Sequence, residues 1–251
     1  MPILVLMRHG TTVWGHEGRF VGWADTPLNP TGRGEVRNAA NTLCKAGVSF
    51  DVCFTSRLLR ARESLSIVEE TMEPTACETI SDWRLNERHY GALQGETRAA
   101  MVGRYGNDQI VAWRRSYSSQ PPPLTDDDPR WLEQIARFPD IPRDQHPRGE
   151  SLGDAVVRIE PVWHERIAVE LRAGKNVLMV AHTSSMRAMV RAIEKSSDSE
   201  SADMRFATAV PRFYEFDEAL GVRSSGDLKS GLRLRLRYWG TRLKPRRLGR
   251  I

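Results

Sequence analysis

Leu4-Val5-Leu6-Met7-Arg8-His9-Gly10-Thr11-Thr12 is an apolar strand that runs straight into an arginine, a histidine and a glycine. The pattern returns in part as Val177-Leu178-Met179-Val180-Ala181-His182-Thr183-Ser184-Ser185. If the two strands are parallel neighbours, both histidines reach the same edge of one sheet. Ligands of open α/β sheets bind beyond the carboxyl ends of the strands. The helix N-termini that follow supply N–H groups and a positive dipole end for an anion. Either histidine alone is more often a satisfied structural residue than a nucleophile. The pair, in one shared context, points to a phosphate-handling pocket.

Strand and helix signals alternate outward from these stretches, which marks an α/β sheet with right-handed crossovers. The expected architecture is a three-layer α/β/α sandwich with a mostly parallel central sheet. Its strands are expected at residues 3–7, 50–55, 176–181 and 212–217. Val36, Ala39, Ala40, Leu43 and Cys44 recur at helical spacing, and Gly47 supplies a stop. A helix rich in Arg and Leu follows the second strand to about residue 70. Ser151-Leu152-Gly153-Asp154 resembles a capping box weakened by its glycine. The helix it opens carries Val156, Val157, Ile159, Val162, Trp163 and Ile167, and Pro161 is expected to kink it. Residues 83–149 behave differently, with Pro121-Pro122-Pro123 and Asp126-Asp127-Asp128-Pro129 among several more prolines. They read as a large irregular insertion with short helices over the carboxyl edge, of the kind that roofs an active site. Residues 196–201 read as a polar loop. The whole chain, 1–251, is read as a single domain with that insertion and a basic tail from about residue 228.

The apolar and charged fractions are those of an ordinary globular chain, long enough to bury a sizeable core. No apolar run approaches a membrane span, and a first strand so early leaves no room for a signal peptide. Cys44, Cys53 and Cys77 are odd in number and form no Cys-x-x-Cys pair. That argues against a disulfide framework or a zinc site and for a reducing compartment, with the cytoplasm as the default. The net charge of +5 is uneven: residues 233–250 hold eight Lys/Arg and no acid, so the rest is slightly acidic. There Leu232, Leu234 and Leu236 alternate with Arg233, Arg235 and Arg237 at strand period. An edge strand guarded by its arginines is the first reading, and a docking strand the second. Nucleic acid or membrane contact through the tail ranks below a solvated basic terminus.

Phosphoryl transfer needs a nucleophile, a proton carrier and cations that hold charge. Neutral imidazole is a competent nucleophile near pH 7, and His9 stands at a strand end where it could attack in line. Arg8 offers a planar fork of donors for phosphate oxygens. Arg60 or Arg62, soon after the second strand, could reach the same edge. His182 can donate one N–H if neutral. In Trp83-Arg84-Leu85-Asn86-Glu87-Arg88-His89-Tyr90-Gly91, Glu87 is a candidate general acid/base and Tyr90 a candidate partner for a substrate oxygen. Trp113-Arg114-Arg115-Ser116-Tyr117 places two adjacent arginines before the proline run, fit for a second anionic group.

On these blocks, together with Arg19-Phe20-Val21-Gly22-Trp23-Ala24-Asp25, Phe50-Asp51-Val52-Cys53-Phe54-Thr55-Ser56 and Ala181-His182, the chain resembles the cofactor-dependent phosphoglycerate mutases of the histidine phosphatase superfamily. The resemblance spans roughly residues 3–217. It implies interconversion of 3- and 2-phosphoglycerate, in glycolysis and gluconeogenesis, with a small phosphorylated three-carbon acid as substrate. It implies His9 as the phosphohistidine nucleophile, primed by 2,3-bisphosphoglycerate, with no metal. Arg8, Arg60 and His182 would grip the transferring phosphate, and Glu87 would shuttle the proton. Thr11, Thr12, Gly15, Val21, Gly22, Arg88, His89, Tyr90, Arg98, Arg114, Arg115, Thr183 and Ser184 would bind the rest of the substrate. A homodimer or homotetramer is the implied assembly.

Against the family pattern, Thr11-Thr12 stand for Glu-Ser, Gly15 for asparagine, Arg98 for lysine, Thr183-Ser184-Ser185 for Gly-Asn-Ser and Ala209-Val210-Pro211 for Gly-Ile-Pro. A positive φ inherited at Thr183 would strain a β-branched residue. A pocket without the asparagine contacts would admit water to a phosphohistidine. The alternatives are therefore a phosphatase or a bisphosphoglycerate mutase/phosphatase of the same superfamily, and a catalytically weak protein that binds through its basic tail.

Overall fold

Runs of Val, Ile, Leu and Met that lack polar positions can only be buried on both faces, and they form the middle of one sheet. The computed structural model describes residues 1–72 and 77–228. The strands are β1 (Ile3–Arg8), β2 (Val52–Thr55), β3 (Glu78–Ser81), β4 (Val177–Ala181), β5 (Arg212–Phe216) and β6 (Val222–Asp227). Their spatial order is β3-β2-β4-β1-β5-β6. The first four in that order run parallel, while β5 is antiparallel to β1 and β6 to β5. The expected mostly parallel sheet is present. β1 and β4 pair from Leu4↔Val177 to Arg8↔Ala181, so His9 and His182 both emerge one residue beyond the last pair.

Side-chain alternation sorts the strand residues between two layers. Leu4, Leu6, Val52, Phe54, Val177 and Met179 join the core cluster of α7 (Leu152–Val162), α8 (Ala168–Arg172) and α9 (Thr183–Glu194). Ile3, Val5, Met7, Cys53, Leu178 and Val180 face the cluster of α2 (Pro30–Ala46) and α3 (Leu59–Thr71). α2 begins where the Asn29 side chain accepts the Gly32 N–H at 2.8 Å, and it ends at Gly47 in the left-handed conformation, φ 73°. The remaining helices are α1 (Val13–His16), α4 (Arg98–Tyr105), α5 (Asn107–Arg115), α6 (Pro129–Arg137) and α10 (Asp198–Asp203).

Residues 83–149 contain α4, α5 and α6 and the 3-10 turns Trp83–Leu85, Gly91–Leu93 and Arg143–Gln145. They carry small cores of their own: Leu93, Met101, Ile110 and Trp113 pack with Phe20, and Phe138 and Ile141 with Trp23 and Leu58. Among the described residues, no helix is long and apolar enough to cross a membrane.

Several local expectations need correction. The Ser151 capping box is complete, with both reciprocal bonds to Asp154. Gly153 gives room to the Tyr117 ring, 2.9 Å from where a Cβ would stand. Pro161 lies inside α7, and the chain runs on through a π-helical turn, Trp163–Ile167, into α8. Residues 196–201 are not a loop: Ser197 and Glu200 form a capping box that starts α10. β3 and β6 are additional strands, and Phe50 and Asp51 precede β2. The Leu/Arg alternation at Leu232–Leu236 lies outside the described residues.

Ala209 holds a left-handed φ of 52° while its N–H donates to the Arg8 carbonyl at 2.9 Å. A Cβ in that region costs energy that glycine does not pay. Ala209→Gly is therefore expected to stabilise the fold by about 0.5–1 kcal/mol after the entropy of the added glycine is deducted. A urea titration checks this: the midpoint rises at unchanged slope, whereas a fall would mean that the Ala209 methyl packs better than its backbone is strained.

Candidate active site

The parallel register of β1 and β4 sets the two histidine rings 5.0 Å apart, centroid to centroid. His9 Nδ1 donates to the Gly10 carbonyl at 2.7 Å, and the Arg60 Nε–H points at His9 Nε2 at 3.3 Å. Those two bonds assign the proton to Nδ1 and make Nε2 the unprotonated nitrogen, whose lone pair accepts the Arg60 N–H. Gly10 permits this turn because a Cβ there would collide with the Gly32 carbonyl and Val36 of α2.

Arg60, in the first turn of α3, is almost fully buried. Its two terminal nitrogens donate to the Ala24 and Gly22 carbonyls at 3.0 and 2.8 Å. Burial, against the attraction of Glu87 and Asp25, brings its pKa down to about 10, so it remains a cation. Arg62 is exposed. Arg8 donates to the Phe206 carbonyl at 3.1 Å, and its buried Nε has no partner.

His182 Nε2 lies 2.7 Å from Ser56 Oγ, which already accepts the Leu58 N–H at 3.2 Å. With the Ser56 hydroxyl as donor to His182 Nε2, the ring proton is assigned to Nδ1, a buried atom without a partner. An anion beside His9 would satisfy both that N–H and Arg8 Nε.

Glu87 is held by its neighbours' backbones. Oε1 accepts the N–H of Arg88 at 2.8 Å and of Ser184, in the first turn of α9, at 3.2 Å. Burial raises its pKa, but these bonds and the charges of Arg60 and Arg88 outweigh that, and the net direction is down. It is a carboxylate at neutral pH. The loop that presents it is fastened by Arg158, which donates to the Arg84, Asn86 and Glu87 carbonyls and forms a buried two-point pair with Glu150 at 2.7 and 2.8 Å.

Arg8, His9, Arg60 and Glu87 line one cavity of about 540 Å³, while His182 is fully buried beside His9 and is not among its lining residues. Eight arginines line it (Arg8, Arg19, Arg60, Arg98, Arg114, Arg115, Arg187 and Arg205), against the single carboxylate of Glu87. Arg98 opens α4, and Arg114 and Arg115 close α5. Burial, and then the charge of Arg98, lowers the pKa of Arg114. Of the expected substrate contacts, Thr11, Thr12, Gly15, Val21, Gly22, Tyr90, Arg98, Arg114, Arg115, Thr183 and Ser184 line this cavity. Two of them are already engaged: the Thr11 hydroxyl donates to Glu35, and Thr12 Oγ1 accepts the Gly15 N–H as the cap of α1. Thr183 is the first residue of α9 and is not among the residues of positive φ, so the feared strain is absent.

Arg88 and His89 are not cavity residues. Arg88 is buried behind Tyr90, donating to its hydroxyl at 3.2 Å and to the Arg114 carbonyl at 3.3 Å. His89 is turned to the opposite side, where Nε2 meets Gln134 Oε1 at 2.9 Å and Nδ1 accepts the Gly91 N–H at 2.9 Å. Burial takes its pKa down to about 3. Arg19 and Phe20, noted in the sequence only as part of a block shared with the family, and Arg187 and residues 205–208 also line the cavity without having been assigned to the site. Of the latter, Arg187 had a usable signal, one helical turn beyond Thr183 on the same face. Among the described residues, no group of three or more His, Cys, Asp or Glu side chains could hold a metal ion.

A family model described as histidine phosphatase superfamily (branch 1) matches residues 4–128 and 124–219. Among solved structures, a mycobacterial glucosyl-3-phosphoglycerate phosphatase complexed with VO3 superposes with a TM-score of 0.68 at 23% identity, covering 90% of this chain and 97% of that one. Bacillus stearothermophilus YhfR gives 0.64 at 22% identity, with coverages of 86% and 92%. A phosphoserine phosphatase mutant from Entamoeba histolytica, in complex with phosphoserine, gives 0.59 at 16% identity, with coverages of 92% and 100%. At these identities the likeness is one of fold.

Buried neutral histidines make stability depend on pH. Burial, then the Arg60 charge, holds the pKa of His9 and of His182 well below the ordinary value, and that of His89 is also low. Below about pH 6.5 the unfolded chain binds protons that the folded one refuses. Stability is expected to fall as pH drops from about 6.5, by up to about 1.4 kcal/mol per pH unit for each such histidine. Urea midpoints between pH 8 and pH 4 check this; a flat profile from pH 6.5 to 4.5 would contradict neutral burial.

Proposed function

The chain belongs to the histidine phosphatase superfamily, a class of phosphoryl-transfer enzymes, and from that premise we propose that it interconverts 3- and 2-phosphoglycerate through a phosphohistidine at His9. The observation that carries this reading is one cavity lined by His9, Arg8 and Arg60 from the sheet edge and by Arg98, Arg114 and Arg115 from the insertion, with the Glu87 carboxylate among them. The His182 ring stands against His9, 5.0 Å away. A substrate with both a phosphate and a carboxylate suits cations drawn from two parts of the fold.

Each residue then has a defined task. His9 Nε2 attacks the phosphorus in line, with its Nδ1–H held by Gly10. Arg60, Arg8 and the His182 Nδ1–H receive the equatorial oxygens, where charge is greatest in the transition state. Glu87 takes the proton from whichever substrate hydroxyl is to be phosphorylated and returns it to the one that loses phosphate. 2,3-bisphosphoglycerate, as the primer, suits a cavity whose buried Arg8 Nε and His182 Nδ1 both lack partners; when bound it supplies the first phosphoryl group. Roof arginines that retain the intermediate would favour its rephosphorylation.

A phosphatase is the second reading, and a specific feature favours it. Gly15 and Ser184 put no long side chain into the cavity, so water has a path to a phosphohistidine. Glu87 would then activate water in place of a hydroxyl. The solved relatives bearing phosphatase names agree with this alternative.

The deciding experiment follows 2-phosphoglycerate and free phosphate together from 3-phosphoglycerate, with and without 2,3-bisphosphoglycerate. Primer-dependent isomerisation without phosphate release is expected; phosphate release alone would establish the second reading. His9→Ala should abolish either activity, and Glu87→Gln should lower turnover by about 10²–10⁴-fold. Ser56→Ala, which frees the His182 tautomer, should lower it by about tenfold with little change in KM.

A further inference from the structure

Away from the cavity, two cysteine sulfurs meet between neighbouring strands. Cys53 lies in β2 with its side chain on the α2/α3 side of the sheet. β2 pairs with β3 through Cys53↔Thr79. Cys77 is two residues before Thr79, and its side chain falls on the same face and packs against the same core cluster. Cys53 Sγ and Cys77 Sγ are 2.6 Å apart. Cys53 is 2% exposed, whereas Cys77 is partly open to solvent. The third cysteine, Cys44 on α2, is exposed, with its sulfur 4.0 Å from the Thr71 carbonyl.

We propose that Cys53 and Cys77 are a reversible dithiol/disulfide pair, oxidised by small-molecule disulfides, that staples the edge strand β3 to β2. The accessible member starts the exchange. The Cys77 thiolate attacks one sulfur of the small disulfide, forming a mixed disulfide and releasing one thiolate. Cys53 loses its proton and attacks the Cys77 sulfur, forming the internal bond and expelling the second thiolate. Two protein thiols and one small disulfide thus become one protein disulfide and two small thiols. Hydrogen bonding from the Cys53 thiol, the largest effect on Cys77, favours the Cys77 thiolate, and Cys53 is pushed the other way. Burial of Cys53 does not block its step, because that step is intramolecular.

The location gives the bond a consequence. The loop it closes runs from Cys53 to Cys77 and includes α3, which carries Arg60, the cation on His9. Among the described residues β3 has a strand neighbour on only one side, β2, and its own residues are largely exposed. A crosslink at its start limits the unfolded chain and ties down a strand with little burial of its own. In a reducing compartment such a bond would be transient and condition-dependent, and it is independent of the reaction proposed above.

The test uses the full chain with Cys44→Ser, which removes the exposed bystander. The protein is incubated with oxidised glutathione, the remaining thiols are alkylated, and a non-reducing peptide map is read by mass. A peptide pair joined through Cys53 and Cys77 is expected, with no retained glutathione, no free thiol in denaturant, and both thiols restored by dithiothreitol. The thermal midpoint of the oxidised form should exceed that of the reduced form by about 5 °C. Cys77→Ser, a change at a partly exposed position, should form no internal bridge. Two free thiols after oxidation, glutathione kept as a mixed adduct, or a midpoint that does not rise would each overturn the proposal.

Discussion

An excess of positive charge is the constraint around which this molecule is arranged. Among the described residues eight arginines line a cavity with one carboxylate; Arg19 pairs with Glu17 and Arg205 with Asp203, while buried Arg60 and Arg187 and half-buried Arg8 lean on backbone carbonyls, Arg60 on Gly22 and Ala24, Arg187 on Met204, Arg8 on Phe206. A carbonyl dipole orients a guanidinium without neutralising it. The fold therefore stores repulsion that an anion of two or more charges would relieve, and binding such an anion stabilises the native state by mass action. The same field explains the neutral histidines. His9 and His182 could not both be cations beside Arg60 and Arg8, so His9 is kept unprotonated by its surroundings.

Holding that charge in place falls to elements outside the cavity. The Glu150–Arg158 pair is compensated and almost fully buried, and the arginine's donors also hold the carbonyls of Arg84, Asn86 and Glu87. Glu150 also accepts the His89 N–H. One ion pair thus sets the path of the chain from Arg84 to His89. Leu85, Asn86, Arg88 and His89 are buried in the scaffold, and of that segment only Glu87 lines the cavity among the described residues. Breaking the pair would leave a buried charge alone, which is costly, and would release Glu87 at the same time.

The sequence was most legible where burial is complete. β1, β2 and β4 are unbroken apolar runs, and α2 is bracketed by Asn29 and Gly47. β3 and β6 escaped because their residues are polar and exposed: pairing with β2 and β5 holds them, not an apolar face of their own. α10 was hidden by Ser and acidic residues that look like a loop until Ser197 and Glu200 are seen to cap each other. In the site, His9, Arg8, Arg60, Glu87 and His182 were readable because each follows a strand or sits in a distinctive block. Arg88 and His89 were misplaced because neighbours in sequence need not face the same side. Arg205 and residues 206–208 carried no pattern, since an irregular segment reaches the cavity only through tertiary folding.

The departures from the family pattern acquire a physical meaning once the backbone is considered. Ser184 serves Glu87 through its N–H, which any residue but proline supplies, and Thr183 begins a helix at ordinary φ. Gly15 spends its N–H on Thr12, so that corner offers the ligand neither a side chain nor a spare donor. What the floor lacks in neutral donors is met by cations, Arg187 from α9 and Arg205 from the segment before β5. Neutral donors bind an oxygen at short range and fix its direction, whereas guanidinium groups attract over a longer distance and tolerate more than one geometry. A site that replaces the former with the latter keeps its affinity for anions but relaxes the demand on their shape. The substitutions at positions 15, 183 and 184 therefore bear on which anion the cavity accepts, and the placement of His9 is left as the strand ends set it.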